Sequence, residues 1–189
     1  MRLYLGLVHY PVYNKNRERI ASALTTLDLH DLSRLSRTYG VKRVYVITPL
    51  IDQQELADRL IRHWTEGYGA TYNPTRREAL ELVSVRSSIE DCEREIEKQE
   101  GEKPSLFTTD ASVKKKVILG YDEARDMLRA DKAILLLFGT AWGLGQEIID
   151  RADHLLDPIR TDTDYNHLSV RSAAAIILDR LAGGRPGDQ

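Results

Sequence analysis

Cysteine is almost absent: Cys92 is the only one. A single thiol forms no intramolecular disulfide and no cysteine-cluster metal site. Long hydrophobic runs are missing too. The longest, residues 133–138, is far shorter than the roughly 20 apolar residues a helix needs to cross a bilayer. The apolar start, residues 1–7, soon reaches His9, Pro11 and Asn14 and has no small-residue cleavage site, so a signal peptide is not expected. These absences predict a cytoplasmic protein that does not contact membranes. There is no excess of one charge: 27 Lys and Arg stand against 29 Asp and Glu, a net −2. Nucleic-acid binding usually leaves a basic footprint, so any such role must rest on a local patch.

What is present is ordinary for a globular chain of 189 residues, with 42% hydrophobic and 30% charged residues. Short apolar runs alternate with helical patterns, which predicts an α/β fold with a parallel sheet and helices on both faces. Strands are expected over residues 3–9, 43–48, 82–85, 105–109, 132–138 and 154–156. Helices are expected over 28–39, 53–65, 88–100, 122–129, 144–152 and 168–181. The run at 132–138 is apolar throughout, as in a strand covered on both faces. One domain over residues 1–182 is expected, with 183–189 as a flexible, glycine-rich tail.

Three stretches carry chemistry. In the first, Phe138-Gly139-Thr140-Ala141-Trp142-Gly143-Leu144-Gly145, a buried strand runs into a glycine turn and then a helix. Glycines let a ligand approach the backbone, and a helix start offers free N–H groups. A tight turn with no ligand would look the same. The glycine order is not the G-x-G-x-x-G of a dinucleotide fold, and no Gly-Lys-Ser/Thr of a P-loop follows. The second, from Asn166 to Ile176, takes a polar loop into a helix rich in small residues, which suits a close ligand or a buried face. The third, Asp28 to Val41, offers Asp28 as a helix N-cap. It also places Asp31 to pair with Arg34 or Arg37 on a solvated face.

Together these stretches resemble the SPOUT (α/β-knot) superfamily of RNA methyltransferases, over nearly the whole chain. The glycine turn is similar to that superfamily's second motif, and 166–176 to its third. The 28–41 stretch is similar to the N-x-G-x-x-x-R…G-V motif of the 2′-O-methylating branch. Asp28 stands at the Asn, His30 at the Gly, Arg34 at the Arg, and Gly40-Val41 at the Gly-Val. Asn14-Lys15-Asn16 and residues 73–77 resemble a bacterial subgroup linked by name to tRNA guanine-N1 methyltransferases.

The resemblance implies a C-terminal trefoil knot holding S-adenosylmethionine, a homodimer, and a tRNA or rRNA substrate. The cofactor pocket it implies is built by Thr108, Thr109, Gly139, Thr140, Gly143, Ile159, Asn166, His167 and Leu168. The acceptor is a ribose 2′-hydroxyl or guanine N1. The first would use Arg34, within the motif that starts at Asp28; the second would use an acid in the loop before the third motif, Asp162 or Asp164. His9, His30 and His167 have no metal-ligand spacing, and no metal is expected. Lys114-Lys115-Lys116 and Arg76-Arg77 are the local cation clusters. A dimer that binds S-adenosylmethionine without catalysis is the alternative.

Overall fold

The computed structural model describes residues 1–111, 118–163 and 165–184. The chain opens with β1 (Leu3–Val8) and a small hairpin of β2 (Val12–Tyr13) and β3 (Arg19–Ile20). There follow α1 (Thr26–Thr38), β4 (Arg43–Ile47), α2 (Ile51–Thr65), α3 (Tyr68–Tyr72), α4 (Pro74–Leu80), β5 (Val83–Arg86), α5 (Ile89–Glu100) and β6 (Ser105–Thr108). The C-terminal part adds β7 (Ile118–Leu119), α6 (Tyr121–Arg129), β8 (Ile134–Gly139), α7 (Gln146–Arg151), β9 (His154–Leu156) and α8 (Val170–Ala182).

Seven strands form one sheet in the order β5-β4-β1-β8-β6-β9-β7, and every pair is parallel. The two faces are built by the two-residue period of the strands. Ile134, Leu136 and Phe138 of β8 meet α1, α6 and α8 on one side. Leu135 and Leu137 meet α5 and α7 on the other. Both sides are dry, so β8 is apolar at nearly every position.

The structure departs from the expected elements in instructive places. α1 starts earlier than Asp28. Thr25, in extended backbone, is the N-cap, and its hydroxyl accepts from the Asp28 N–H at 3.2 Å. Asp28 is thus a first-turn acid facing the helix's positive end, not the cap. The β2–β3 hairpin, α3, α4 and β7 were not expected. Their two- to seven-residue lengths leave no measurable period. Asp31 pairs with Arg171 (3.2 Å) and Arg37 with Glu78 (3.2 Å), in place of the pairs expected within α1. Among the described residues no helix is long and apolar enough to cross a membrane.

Candidate active site

A cavity of about 1250 Å³ opens beyond the carboxyl ends of β6, β8 and β9, where open parallel sheets bind ligands. Its walls come from four loops: Asn14 to Asp28, Thr109 to Ala111, Gly139 to Gly143, and Leu156 to Arg171. The glycine turn is held from behind by the hairpin. Trp142 N–H donates to the Tyr13 carbonyl (2.9 Å), Tyr13 N–H to Gly143 (3.0 Å), and Gly145 N–H to Pro11 (3.1 Å).

The two glycines of the turn differ in what they permit. A Cβ at Gly139 would lie 2.5 Å from the Leu144 nitrogen and 2.8 Å from the Gly143 carbonyl carbon, so the turn itself excludes a side chain there. Gly143 has φ +99° and nothing within 4 Å of its would-be Cβ. It is the position that leaves the cavity open, in a conformation that favours glycine.

On the opposite wall Asp28, 5% exposed, accepts from the Arg171 guanidinium at 2.8 Å. It also accepts from the Thr25 hydroxyl at 2.6 Å. The two are 143 residues apart in sequence. Asp28 stands where the resembled motif has Asn, and Arg171 lies in the stretch similar to the third motif, so the ion pair joins the two stretches.

Below the glycine turn runs a second buried polar chain. The Thr140 hydroxyl donates to the Val8 carbonyl at 2.9 Å, and the Ser22 hydroxyl donates to Thr140. Ser22 therefore accepts from His9 Nδ1–H at 3.0 Å, which leaves His9 Nε2 unprotonated, buried and without a partner among the described residues. Burial holds His9 below the ordinary imidazole range, and the carboxylate of Asp28 opposes this only in part.

Of the residues expected to hold a cofactor, Thr109, Gly139, Thr140, Gly143, Ile159, Asn166, His167 and Leu168 all line this cavity. Thr108 does not. It is fully buried, with its hydroxyl donating to the His154 carbonyl at 3.3 Å, and it fastens β6 to β9. Asn166 also acts as a clasp: its amide donates to the Ile159 carbonyl (3.0 Å) and to Ala111 (3.4 Å), joining two of the loops.

Of the expected catalytic residues Asp28 lies on the wall. Arg34 is exposed, about 9 Å further along α1 at 1.5 Å per residue, and lies outside the lining. Asp162 is an exposed loop residue outside it as well. Asp164 and Lys114 to Lys116 lie outside the described residues. Among the described residues no group of three or more His, Cys, Asp or Glu is placed to hold a metal.

Sequence reasoning missed Arg171, Ser22, Lys15 and Arg17 as wall residues, and the exposed Trp142 and Tyr165 at the mouth. His167 stands between the last two rings, 6.4 Å from Trp142 and 5.2 Å from Tyr165. A cation inside a run of small residues was the one available signal, and it pointed to Arg171.

Residues 2–183 match the family model described as SAM-dependent RNA methyltransferase. Two curated relatives carry the name tRNA (guanine-N(1)-)-methyltransferase. The Oleidesulfovibrio alaskensis protein is 48% identical over 181 residues and the Nitratidesulfovibrio vulgaris protein 45% over 185. Each match covers 96% of this chain but 42% of the relative, so the chain spans less than half the length of those proteins. An uncharacterized Aquifex aeolicus protein is 35% identical over 179 residues, covering 95% of this chain and 87% of its own length. Among solved structures, TrmJ from Z. mobilis superposes with a TM-score of 0.63 at 9% identity, covering 98% of this chain and 70% of that one. The A. aeolicus TrmH/SpoU tRNA modifying enzyme gives 0.56 at 17%, covering 96% and 74%. The fold is thus that of SPOUT methyltransferases.

Proposed function

This chain belongs to the SAM-dependent RNA methyltransferase family, and we propose that within it the protein methylates N1 of a guanine in tRNA. The observation that carries the acceptor is the placement of the candidate catalytic groups: Asp28, a carboxylate, lines the cavity, whereas Arg34 does not. The name shared by two relatives supports the same acceptor.

The cavity suits S-adenosylmethionine. Gly143 leaves room against the backbone, and Ile159, Leu156 and Ile177 give an apolar wall. The N–H groups of Ala141, His167 and Leu168 make no backbone hydrogen bond among the described residues and are free to hold an adenine edge. When bound, this cofactor supplies a sulfonium-activated methyl group. The protein's task is alignment and proton removal. Asp28 accepts the guanine N1–H, and Arg171 fixes the carboxylate that receives it. Lys15 and Arg17 stand at the wall for the flanking phosphates.

A second reading has one observation in its favour. Arg34 is exposed on α1 with no acidic partner among the described residues, free to enter the site of a partner subunit in a homodimer and serve a ribose 2′-hydroxyl. The homodimer and the threaded C-terminal stretch belong to this proposal. Ultracentrifugation tests the dimer, and a crystal structure traced from β9 to α8 tests the threading.

The deciding experiment is nucleoside mass spectrometry of tRNA and rRNA incubated with the protein and isotope-labelled S-adenosylmethionine. Labelled 1-methylguanosine is expected. A labelled 2′-O-methylnucleoside would establish the second reading. No transfer, with the cofactor bound by calorimetry, would leave a binding protein only.

A further inference from the structure

We propose that α3, the start of α4 and the outer side of α1 form a second RNA-contact surface, on which unpaired bases stack against Tyr68 and Tyr72. The proposal rests on the RNA-methyltransferase reading above and extends it to a surface outside the cavity. None of the residues concerned lines that cavity.

Tyr68 and Tyr72 are 76% and 72% exposed, with ring centroids 6.0 Å apart and planes 25° from parallel. A ring pair one turn apart adds only about 0.2–0.5 kcal/mol to a helix. Two large rings left in water are therefore poor stabilisers and mark a contact site.

The platform is also rigidly mounted. A Cβ at Gly69 would come within 2.7 Å of the Trp64 ring and 2.9 Å of the His63 carbonyl oxygen, so α3 lies directly on the end of α2. Asn73 then caps α4, accepting from Arg76 N–H at 3.0 Å.

Cations stand at the base of the platform, around the Trp64 ring on which α3 rests. The Arg76 guanidinium lies 4.5 Å over the Trp64 ring, and Trp64 meets the His30 ring edge-on at 5.3 Å. Arg34 follows His30 by one turn of α1. Neither Arg34 nor Arg76 has an acidic partner among the described residues, although the chain as a whole is slightly acidic. Open aromatic faces beside unpaired guanidinium groups are the combination that binds single-stranded or looped RNA: bases stack and phosphates pair. Arg34 lies six residues, about 9 Å, along α1 from Asp28, a distance that RNA with one nucleotide in the cavity spans.

The test compares the wild type, the double variant Tyr68→Ala/Tyr72→Ala, and Arg76→Gln. Unfractionated bacterial tRNA is the probe, with filter binding over a range of salt. Cofactor affinity by calorimetry and sedimentation are measured on the same preparations. The double variant should bind tRNA about 10-fold or more weakly, as expected for losing two stacked bases. Arg76→Gln should lower the slope of log K against log salt by about one. Cofactor affinity should not change. Wild-type tRNA binding that both variants retain in full would overturn the surface and leave the methyltransferase reading intact. A wild type that binds the cofactor but no RNA would overturn both. A wild-type dimer that the tyrosine variant dissociates would show the face covered by a second copy, and would overturn the RNA assignment.

Discussion

The ion pair between Asp28 and Arg171 makes the most searching test of the site. Arg171→Met keeps much of the side-chain volume and removes the charge. Asp28, 5% exposed, is then left as a buried carboxylate without its cation. Breaking a fully buried pair costs about 3–5 kcal/mol. Here the guanidinium is 30% exposed, and Asp28 keeps the Thr25 hydroxyl at 2.6 Å, so a loss of about 2–3 kcal/mol is expected. At roughly 2–4 °C per kcal/mol for a chain of this size, the melting temperature should fall by about 4–12 °C. Asp28→Asn buries a neutral amide instead and leaves Arg171 bonded to Asp31 at 3.2 Å, so about 1 kcal/mol is expected. Thermal unfolding of the wild type, both single variants and the double variant completes the cycle. A coupling of about 1–2 kcal/mol should appear, because the double variant leaves no unpaired buried charge, Asp31 being solvated. In the same set Asp28→Asn should slow methyl transfer about 10²-fold or more while cofactor affinity holds. Additive stability effects, or a melting temperature unmoved by Arg171→Met, would refute the pairing. Full activity of Asp28→Asn would refute its role as proton acceptor.

Other expectations follow from the geometry. Gly139→Ala should lower the yield of folded protein, since its Cβ meets backbone at 2.5 Å. Gly143→Ala should fold, with about 1–2 kcal/mol of left-handed strain, and lose cofactor affinity; calorimetry and circular dichroism separate the two, and equal behaviour would contradict the assignment. His9 and His30 are both held below the ordinary value of 6.5, first by burial. The unfolded chain therefore binds more protons below that value. Stability is fully present above about pH 6.5 and is lost as pH falls through 6.5 toward the folded values. His9→Asn should flatten the dependence of melting temperature on pH, and a profile already flat between about pH 7.5 and 5.5 would overturn this. Arg34→Ala should leave stability within about 0.5 kcal/mol and raise KM for RNA with kcat kept; a kcat loss of about 10²-fold would instead assign Arg34 to a partner's active site.

The local sequence determined the architecture. A run apolar at every position marked β8 as covered on both faces, short apolar and β-branched runs placed β1 and β4, and helical patterns placed α1 and α5, each within a few residues. The glycine turn and the small-residue approach to α8 were legible because each is a short-range requirement: a backbone that must turn at φ +99°, and a helix that must come close. The family resemblance that these stretches carry implied nine pocket residues, and all but Thr108 line one cavity. The partners of those residues were not legible. Whether Asp28 is a cap, a surface charge or half of a buried pair depends on Arg171, 143 residues away, and nothing in either neighbourhood encodes the other. His9 acquires its unpaired nitrogen because Ser22 and Thr140 arrive from different loops. Arg34 satisfies its motif spacing, yet six residues of helix carry it along α1 and off the wall. Spacing fixes where a residue sits on its own element; only packing those elements together decides which charges lose water and which face the cavity.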